Sequence, residues 1–154
     1  MSKAAIRAMD VAARISTIYP KVHAGALNGR EKRPLGDPFG LDQFGVNLTV
    51  LAPGAWSSQR HWHEFEDEFI FVLDGEMVLI DDAGEHRLSP GMCAGFKAGV
   101  PNGHHLVNKS MAPATYLEIG TRSGAEHAHY PDIDMTGVKT GGTWTLTRRD
   151  GSAF

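Results

Sequence analysis

The sequence predicts an all-β fold, a sandwich, barrel or jelly roll of many short strands, and three observations carry that reading. Its 154 residues include 18 glycines and 8 prolines, above the roughly 12% that these two types usually supply together, as a chain full of tight turns requires. Apolar stretches of strand length recur about every eight to twelve residues, each closed by a turn signal. No long stretch repeats its apolar residues at helical spacing. A chain of this length supports one domain burying roughly 70% of its unfolded surface, and 42% apolar with 21% charged residues is an ordinary globular composition.

Ala4 to Ile15 is expected as a packed N-terminal arm with one helical turn, because Ile6, Met9, Val11 and Ile15 follow a helix face poorly. Gly29 to Gly40, with Arg30, Lys32, Arg33, Pro34 and Pro38, reads as a polar loop, and the strands are expected to begin after it. Phe44, Val46, Leu48 and Val50 alternate with Gly45, Asn47 and Thr49, the period of a half-buried strand, which ends at Pro53-Gly54. His61 to His63, Phe69 to Leu73 and Met77 to Ile80 follow as strands, with Asp74-Gly75 closing the second of them. His86 to Leu88, Met92 to Phe96, His104 to Asn108 and Ala114 to Ile119 continue the series, across turns at Asp82-Ala83-Gly84 and Ser89-Pro90-Gly91. Thr121 to Gly142 reads as irregular and Thr143 to Thr147 as an edge strand. The expected organisation is a single domain: an arm and loop over residues 1–40, a core over 41–120 and a C-terminal extension over 121–154.

A net charge of −3 without a block of cations argues against a nucleic-acid partner. Cys93 is the only cysteine, which excludes an intrachain disulfide framework. No run approaches the roughly 18 apolar residues of a membrane span, and Met1 to Pro20 carries Arg7, Asp10 and Arg14 where a secretory leader needs an apolar core. A cytoplasmic protein is expected.

The chemistry gathers around three of the eight histidines. His61 and His63 sit two apart on an expected strand, so both leave the same face and their ring nitrogens can converge on one ion. Glu68 opens the apolar run to Leu73, where a carboxylate is costly to bury unless it is paired or coordinates a metal. His104 follows the Pro101-Asn102-Gly103 turn and shares a face with Asn108. Three imidazoles and a carboxylate make an N/O site suited to iron, manganese, nickel, cobalt, zinc or copper, and in an octahedral ion leave two open positions for water, dioxygen or substrate.

These residues resemble the two signature motifs of the cupin superfamily. The first reads Gly54, six residues, His61-Trp62-His63, four residues, Glu68, six residues, Gly75, departing from the family pattern by one residue in the first gap. The second is supplied by Gly95, Pro101, Gly103, His104 and Asn108, without the usual two residues before the histidine. That missing gap leaves His104 and His105 both open as the ligand, and the three-residue gap to Asn108 favours His104. The 19 residues between Gly75 and Gly95 leave room for one hairpin, as in compact microbial cupins. The resemblance, covering about Phe44 to Gly120, implies a small double-stranded jelly-roll β-barrel holding one divalent transition metal ion (iron, manganese, zinc or nickel) on His61, His63, Glu68 and His104. The phrases around Pro101 to Asn108 and His129 to Asp134 also resemble single-domain bacterial cupins, some described as sugar-phosphate-isomerase-like.

Two classes of function follow from the resemblance. One is a metal-dependent enzyme on a small oxygenated substrate: an isomerase of the sugar-phosphate type, with Tyr116 and Glu118 as candidate bases and Lys97 or Arg60 as the cation for a phosphate, or a dioxygenase. The other is a non-catalytic small-molecule binding or sensory module. His105 is expected to face away from the site, His127 and His129 to lie in a loop, and Cys93 to be a buried structural thiol. Trp56, Trp62, Phe69 and Phe71 are expected on the outer face of the first sheet, where a contiguous apolar patch points to a homodimer.

Overall fold

The computed structural model describes residues 4–154. Its turns separate the strands β1 (Arg30–Pro34), β2 (Phe44–Leu51), β3 (Trp62–His63), β4 (Glu68–Asp74), β5 (Met77–Asp81) and β6 (Gly84–Leu88). The series continues with β7 (Cys93–Phe96), β8 (His105–Val107), β9 (Ala114–Thr121), β10 (Ala125–His129), β11 (Thr136–Thr140) and β12 (Thr143–Thr147). A single-turn helix, α1 (Lys21–Ala24), precedes them, and the N-terminal arm contains the expected turn at Ala8–Asp10.

Antiparallel pairing sorts the strands into three sheets, ordered β1-β2-β9-β4-β7, β12-β11-β10-β3 and β6-β5-β8. The fold is all-β as expected. No continuous ladder closes the sheets into a barrel among the described residues; isolated bridges from His61 to His104 and from Trp56 to Val107 tie the segment before β3 to β8. The main core lies between the five- and three-stranded sheets, where Leu51, Ile70, Val72 and Ala114 meet Met77, Leu79, Leu88 and Leu106. A fully buried Val, Leu, Ile or Met contributes about 1.5–3 kcal/mol each. A second cluster of Ala128, Tyr130 and Met135, backed by Trp144 and Leu146, anchors the four-stranded sheet.

Two motif residues have structural duties. Gly75 turns the chain from β4 to β5 at φ 75°, and a Cβ there would lie 2.5 Å from the Pro113 carbonyl oxygen and 2.7 Å from the Ala114 Cα. Asn108 is fully buried after β8, and its Nδ2 donates to the carbonyls of Leu51 and Ala112, both at 2.8 Å. It ties the end of β2 to the turn before β9.

Five expectations are corrected. Gly29 to Gly40 is not all loop, because β1 pairs along its full length with β2. Its alternation lies among charged residues, which a search for apolar periodicity passes over, and at a sheet edge Pro34 needs no ladder bond on its outer side. Thr121 to Gly142 is not irregular: β10 and β11 are paired there, and β10 joins β3. β2 is not half-buried but carries buried residues on both faces, Leu48 on the apolar row and Thr49 and Leu51 on the other, while Phe44 is exposed. Cys93 is exposed, since β7 is an edge strand and its outer face is uncovered. The four aromatic residues do not form one patch: Phe69 is 40% exposed on β4, whereas Trp56 packs edge-on against His105 and Trp62 stacks on His129.

Candidate metal centre

The bridge between His61 and His104, with reciprocal backbone bonds of 3.2 and 2.9 Å, sets these two residues side by side on segments 43 positions apart. His63 enters on β3, and Glu68 enters at the first position of β4, opposite Gly120 of β9. Strand pairing thus brings ligand atoms of His61, His63 and Glu68 within 4.8 Å of one another, and His104 joins the group through Glu68. His61 Nε2 and His63 Nε2 are 3.1 Å apart, and Glu68 Oε2 lies 2.7 Å from His104 Nε2, 3.8 Å from His63 Nε2 and 3.9 Å from His61 Nε2.

The second ring nitrogens decide what this cluster can hold. His61 Nδ1 bonds the Gln59 carbonyl at 2.8 Å, and His104 Nδ1 the Asn102 carbonyl at 3.1 Å. A carbonyl only accepts, so both Nδ1 atoms carry hydrogen and each neutral ring presents a lone pair at Nε2. His104 Nε2 and Glu68 Oε2 then meet at 2.7 Å as two acceptors, an arrangement that requires a proton or a cation between them. The donor set fits a divalent transition ion, and the backbone carbonyls are the outer partners that orient metal-bound imidazoles. His63 differs: its Nδ1 is buried without a partner and faces Glu126 Oε2 at 4.0 Å.

Electrostatics favour the protonation states that a metal needs. Burial pushes the His61 imidazole down to about 3, against the opposing pull of Glu68. Burial alone would raise Glu68, but contact with His104 and the neighbouring His61 and His63 outweigh it and hold the carboxyl well below the usual range. A neutral imidazole and an ionised carboxylate are the ligand forms that bind metal.

The cluster opens into a cavity of about 360 Å³ that Arg30, Lys32, Tyr116 and Glu118 also line. Lys32 Nζ donates to Glu118 Oε1 at 2.8 Å, Asn47 Nδ2 donates to the same oxygen at 3.2 Å, and Tyr116 Oη donates to Glu118 Oε2 at 3.5 Å. Burial, reinforced by the charge of Glu118, raises the Tyr116 phenol well above 10.

Neither of the cations nearest the motifs in sequence lines this cavity, although Lys97 lines a second one of about 210 Å³ that shares His63, Glu68 and His104. Lys97 is 76% exposed beside Asp67, and Arg60 is held by Asp132, Asp82 and the Gly103 carbonyl. Arg30 and Lys32, at alternate positions of β1, line the first cavity instead, and nothing local in their segment signals this. His105, expected to face away from the site, is buried at the wall of the same cavity, its Nδ1 bonding the Ser58 carbonyl at 3.0 Å and its ring packed edge-on against Trp56. Glu126, 2% exposed, was also missed, because it stands on the segment read as irregular.

The family model described as cupin domain matches residues 47–120. A structure described as a sugar phosphate isomerase from a cupin superfamily, from Silicibacter pomeroyi, is 48% identical, with 97% of this chain and 96% of that one covered at a TM-score of 0.92. The chain is a cupin. A candidate sugar phosphate isomerase from Acidithiobacillus ferrooxidans is similar to this cupin at 27% identity, covering 81% of this chain and 80% of that one with a TM-score of 0.74. A polyketide cyclase from Streptomyces resistomycificus, at 24% identity with 77% of this cupin and 79% of its own chain covered, shares the fold at a TM-score of 0.64. No curated protein matches the chain. No helix among the described residues is long and apolar enough to cross a membrane.

Proposed function

We propose that this cupin is a metal-dependent isomerase of a small phosphorylated sugar, with His61, His63, Glu68 and His104 as metal ligands and Tyr116 and Glu118 as the proton-transfer pair. We take the three sheets to work as a double-stranded jelly roll with the cavity at its centre. The observation that carries the reading is that Arg30 and Lys32 line the same cavity as the ligand set and the Glu118 carboxylate. Anion anchor, metal ligands and proton-transfer groups are thus within reach of one small substrate. The Silicibacter pomeroyi structure described as a sugar phosphate isomerase supports the same reaction class.

Held by the four side chains, a divalent ion such as iron, manganese, zinc or nickel supplies Lewis-acid polarisation of adjacent carbonyl and hydroxyl oxygens. Arg30 and Lys32 bind the phosphate and fix the sugar's orientation. Glu118 removes the proton from the hydroxyl-bearing carbon and returns it to the neighbouring carbonyl carbon, while the hydroxyl proton passes from one oxygen to the other. The substrate is oxidised at one carbon and reduced at the next, so no external oxidant takes part. Tyr116, kept as a phenol at neutral pH, donates to the oxygen that gains charge.

The test is incubation of the metal-loaded protein with aldose and ketose phosphates in D₂O, followed by NMR. Interconversion with deuterium entering beside the carbonyl is expected, and Glu118→Gln should slow it about 10²–10⁴-fold, the usual contribution of general acid–base catalysis. A ligand bound tightly but recovered unchanged and undeuterated would make the protein a binding module, and oxygen consumption would make it a dioxygenase. Either result sinks the isomerase reading.

A further inference from the structure

The strand that delivers His61 and His63 to the cavity presents its alternate residues to the opposite side. Trp62 and Glu64 lie on that outer face, and β10 runs antiparallel beside them with Trp62 opposite His129. Glu64 is one step further along and bonds the His127 carbonyl through its own N–H at 3.1 Å. Two histidines at i and i+2 on β10 therefore share a face with a carboxylate on the neighbouring strand. This repeats, on the outer side of the sheet, the pattern of the inner cluster.

From this register we infer that Glu64, His127 and His129 form a second metal site, for a zinc ion, on the outer face of the β3–β10 pair. Glu64 Oε1 lies 3.3 Å from His127 Nδ1 and 2.7 Å from His129 Nε2, and one ligand atom from each of the three residues falls within 4.8 Å of the others. Zinc bonds of about 2.0 Å at the tetrahedral angle place ligand atoms roughly 3.3 Å apart, so small side-chain adjustments close the site. His127 Nε2 is 2.8 Å from Thr136 Oγ1 on β11. In the zinc-bound form that hydroxyl accepts Nε2–H and leaves the Nδ1 lone pair for the ion, the outer-partner arrangement of metal-bound histidines. Trp62 stacks on His129 with ring centroids 4.2 Å apart and an interplanar angle of 14°, which holds the second imidazole in place.

The three residues are each about one third exposed, so the ion enters from solvent and keeps an open fourth position. Its effect is to clamp β10 to the segment following β3, fastening the C-terminal strands to the part of the chain that supplies His61 and His63. The inference does not depend on the activity assigned to the cavity.

Equilibrium dialysis of the full chain against zinc, read by elemental mass spectrometry, tests it. Two ions per chain are expected in the wild type, one in His61→Ala, and one in both His129→Ala and Glu64→Gln. In the His61→Ala background, zinc should raise the melting temperature, and Thr136→Val should weaken zinc binding about tenfold. Cobalt should quench a fluorescence component that is absent from Trp62→Phe. If zinc binding in His61→Ala falls to zero, or is unchanged by adding His129→Ala, the three residues are only a hydrogen-bonded group and the inference is overturned. Should the inner site take up no metal, the outer site would still show one ion that His129→Ala removes and His61→Ala leaves, so the two failures are distinguishable.

Discussion

Glu126 offers the sharpest test of how the C-terminal strands support the site. Glu126 is 2% exposed, and Lys139, opposite it on β11, pairs with Glu66 instead; the Glu126 carboxylate accepts backbone N–H groups from Glu64 at 2.9 Å, Phe65 at 3.1 Å and His127 at 2.8 Å. In Glu126→Ala the Glu64 N–H keeps the His127 carbonyl at 3.1 Å, whereas the Phe65 and His127 N–H groups lose the carboxylate. Hydrogen bonds to a charged group contribute about 1.5–3 kcal/mol each, so losing two costs about 3–6 kcal/mol. With a urea m-value of about 2 kcal/mol/M the unfolding midpoint falls by about 1.5–3 M. Glu126→Gln keeps the volume and one acceptor oxygen, and roughly half that loss is expected. Because Oε2 faces His63 Nδ1 at 4.0 Å, metal affinity at the inner site should also drop by about tenfold. Urea unfolding followed by circular dichroism reads the first effect and metal titration the second. A midpoint shift under about 0.5 M for Glu126→Ala, near 1 kcal/mol, would refute the role assigned to this carboxylate.

Three further outcomes are expected. All three tyrosines, Tyr19, Tyr116 and Tyr130, have phenols raised by burial, Tyr19 to about 12; each folded value lies above the unfolded 10, so this stabilisation is complete below pH 10 and is lost as pH rises from 10 toward 12. Phenolate absorbance should therefore stay absent at pH 10 and appear together with unfolding, and one tyrosine titrating near 10 in the folded chain would contradict the burial. Gly75→Ala places a methyl 2.5 Å from the Pro113 carbonyl oxygen at φ 75° and should lower stability by more than about 2 kcal/mol, measured by thermal unfolding. His104→Ala should lose metal at the inner site while His105→Ala keeps it and loses stability instead, since His105 is buried against Trp56; elemental analysis showing the reverse would exchange the two assignments.

Much of the site was legible in advance because metal ligation constrains residue type and spacing together. His61 and His63 fall at an interval that strand geometry converts into a shared face, Glu68 opens the strand that follows, and His104 is proposed over His105 on the gap to Asn108 in the pattern the chain resembles. The strands richest in apolar residues, β4, β5 and β9, were equally plain. What escaped was built from polar residues. β1 alternates among charged side chains and β10 buries Glu126 on backbone N–H groups, so neither displays the apolar period by which strands are recognised.

Local pattern by itself determined the all-β class, most strand positions and the identity of the inner ligand candidates, because backbone periodicity and ligand chemistry act over a few residues. Only the tertiary structure decided which cations share the cavity with them, and which face of each strand looks inward. Arg30 and Lys32 stand more than 25 residues before His61, and nothing local in their segment shows that β1 will line the cavity. Likewise, the meeting of Glu64 with His127 and His129 is created by the pairing of β3 with β10, a contact over some 65 residues. Antiparallel pairing is set by the burial of whole sheets, a sum over the entire chain, and so the neighbours it creates cannot be read from any one segment.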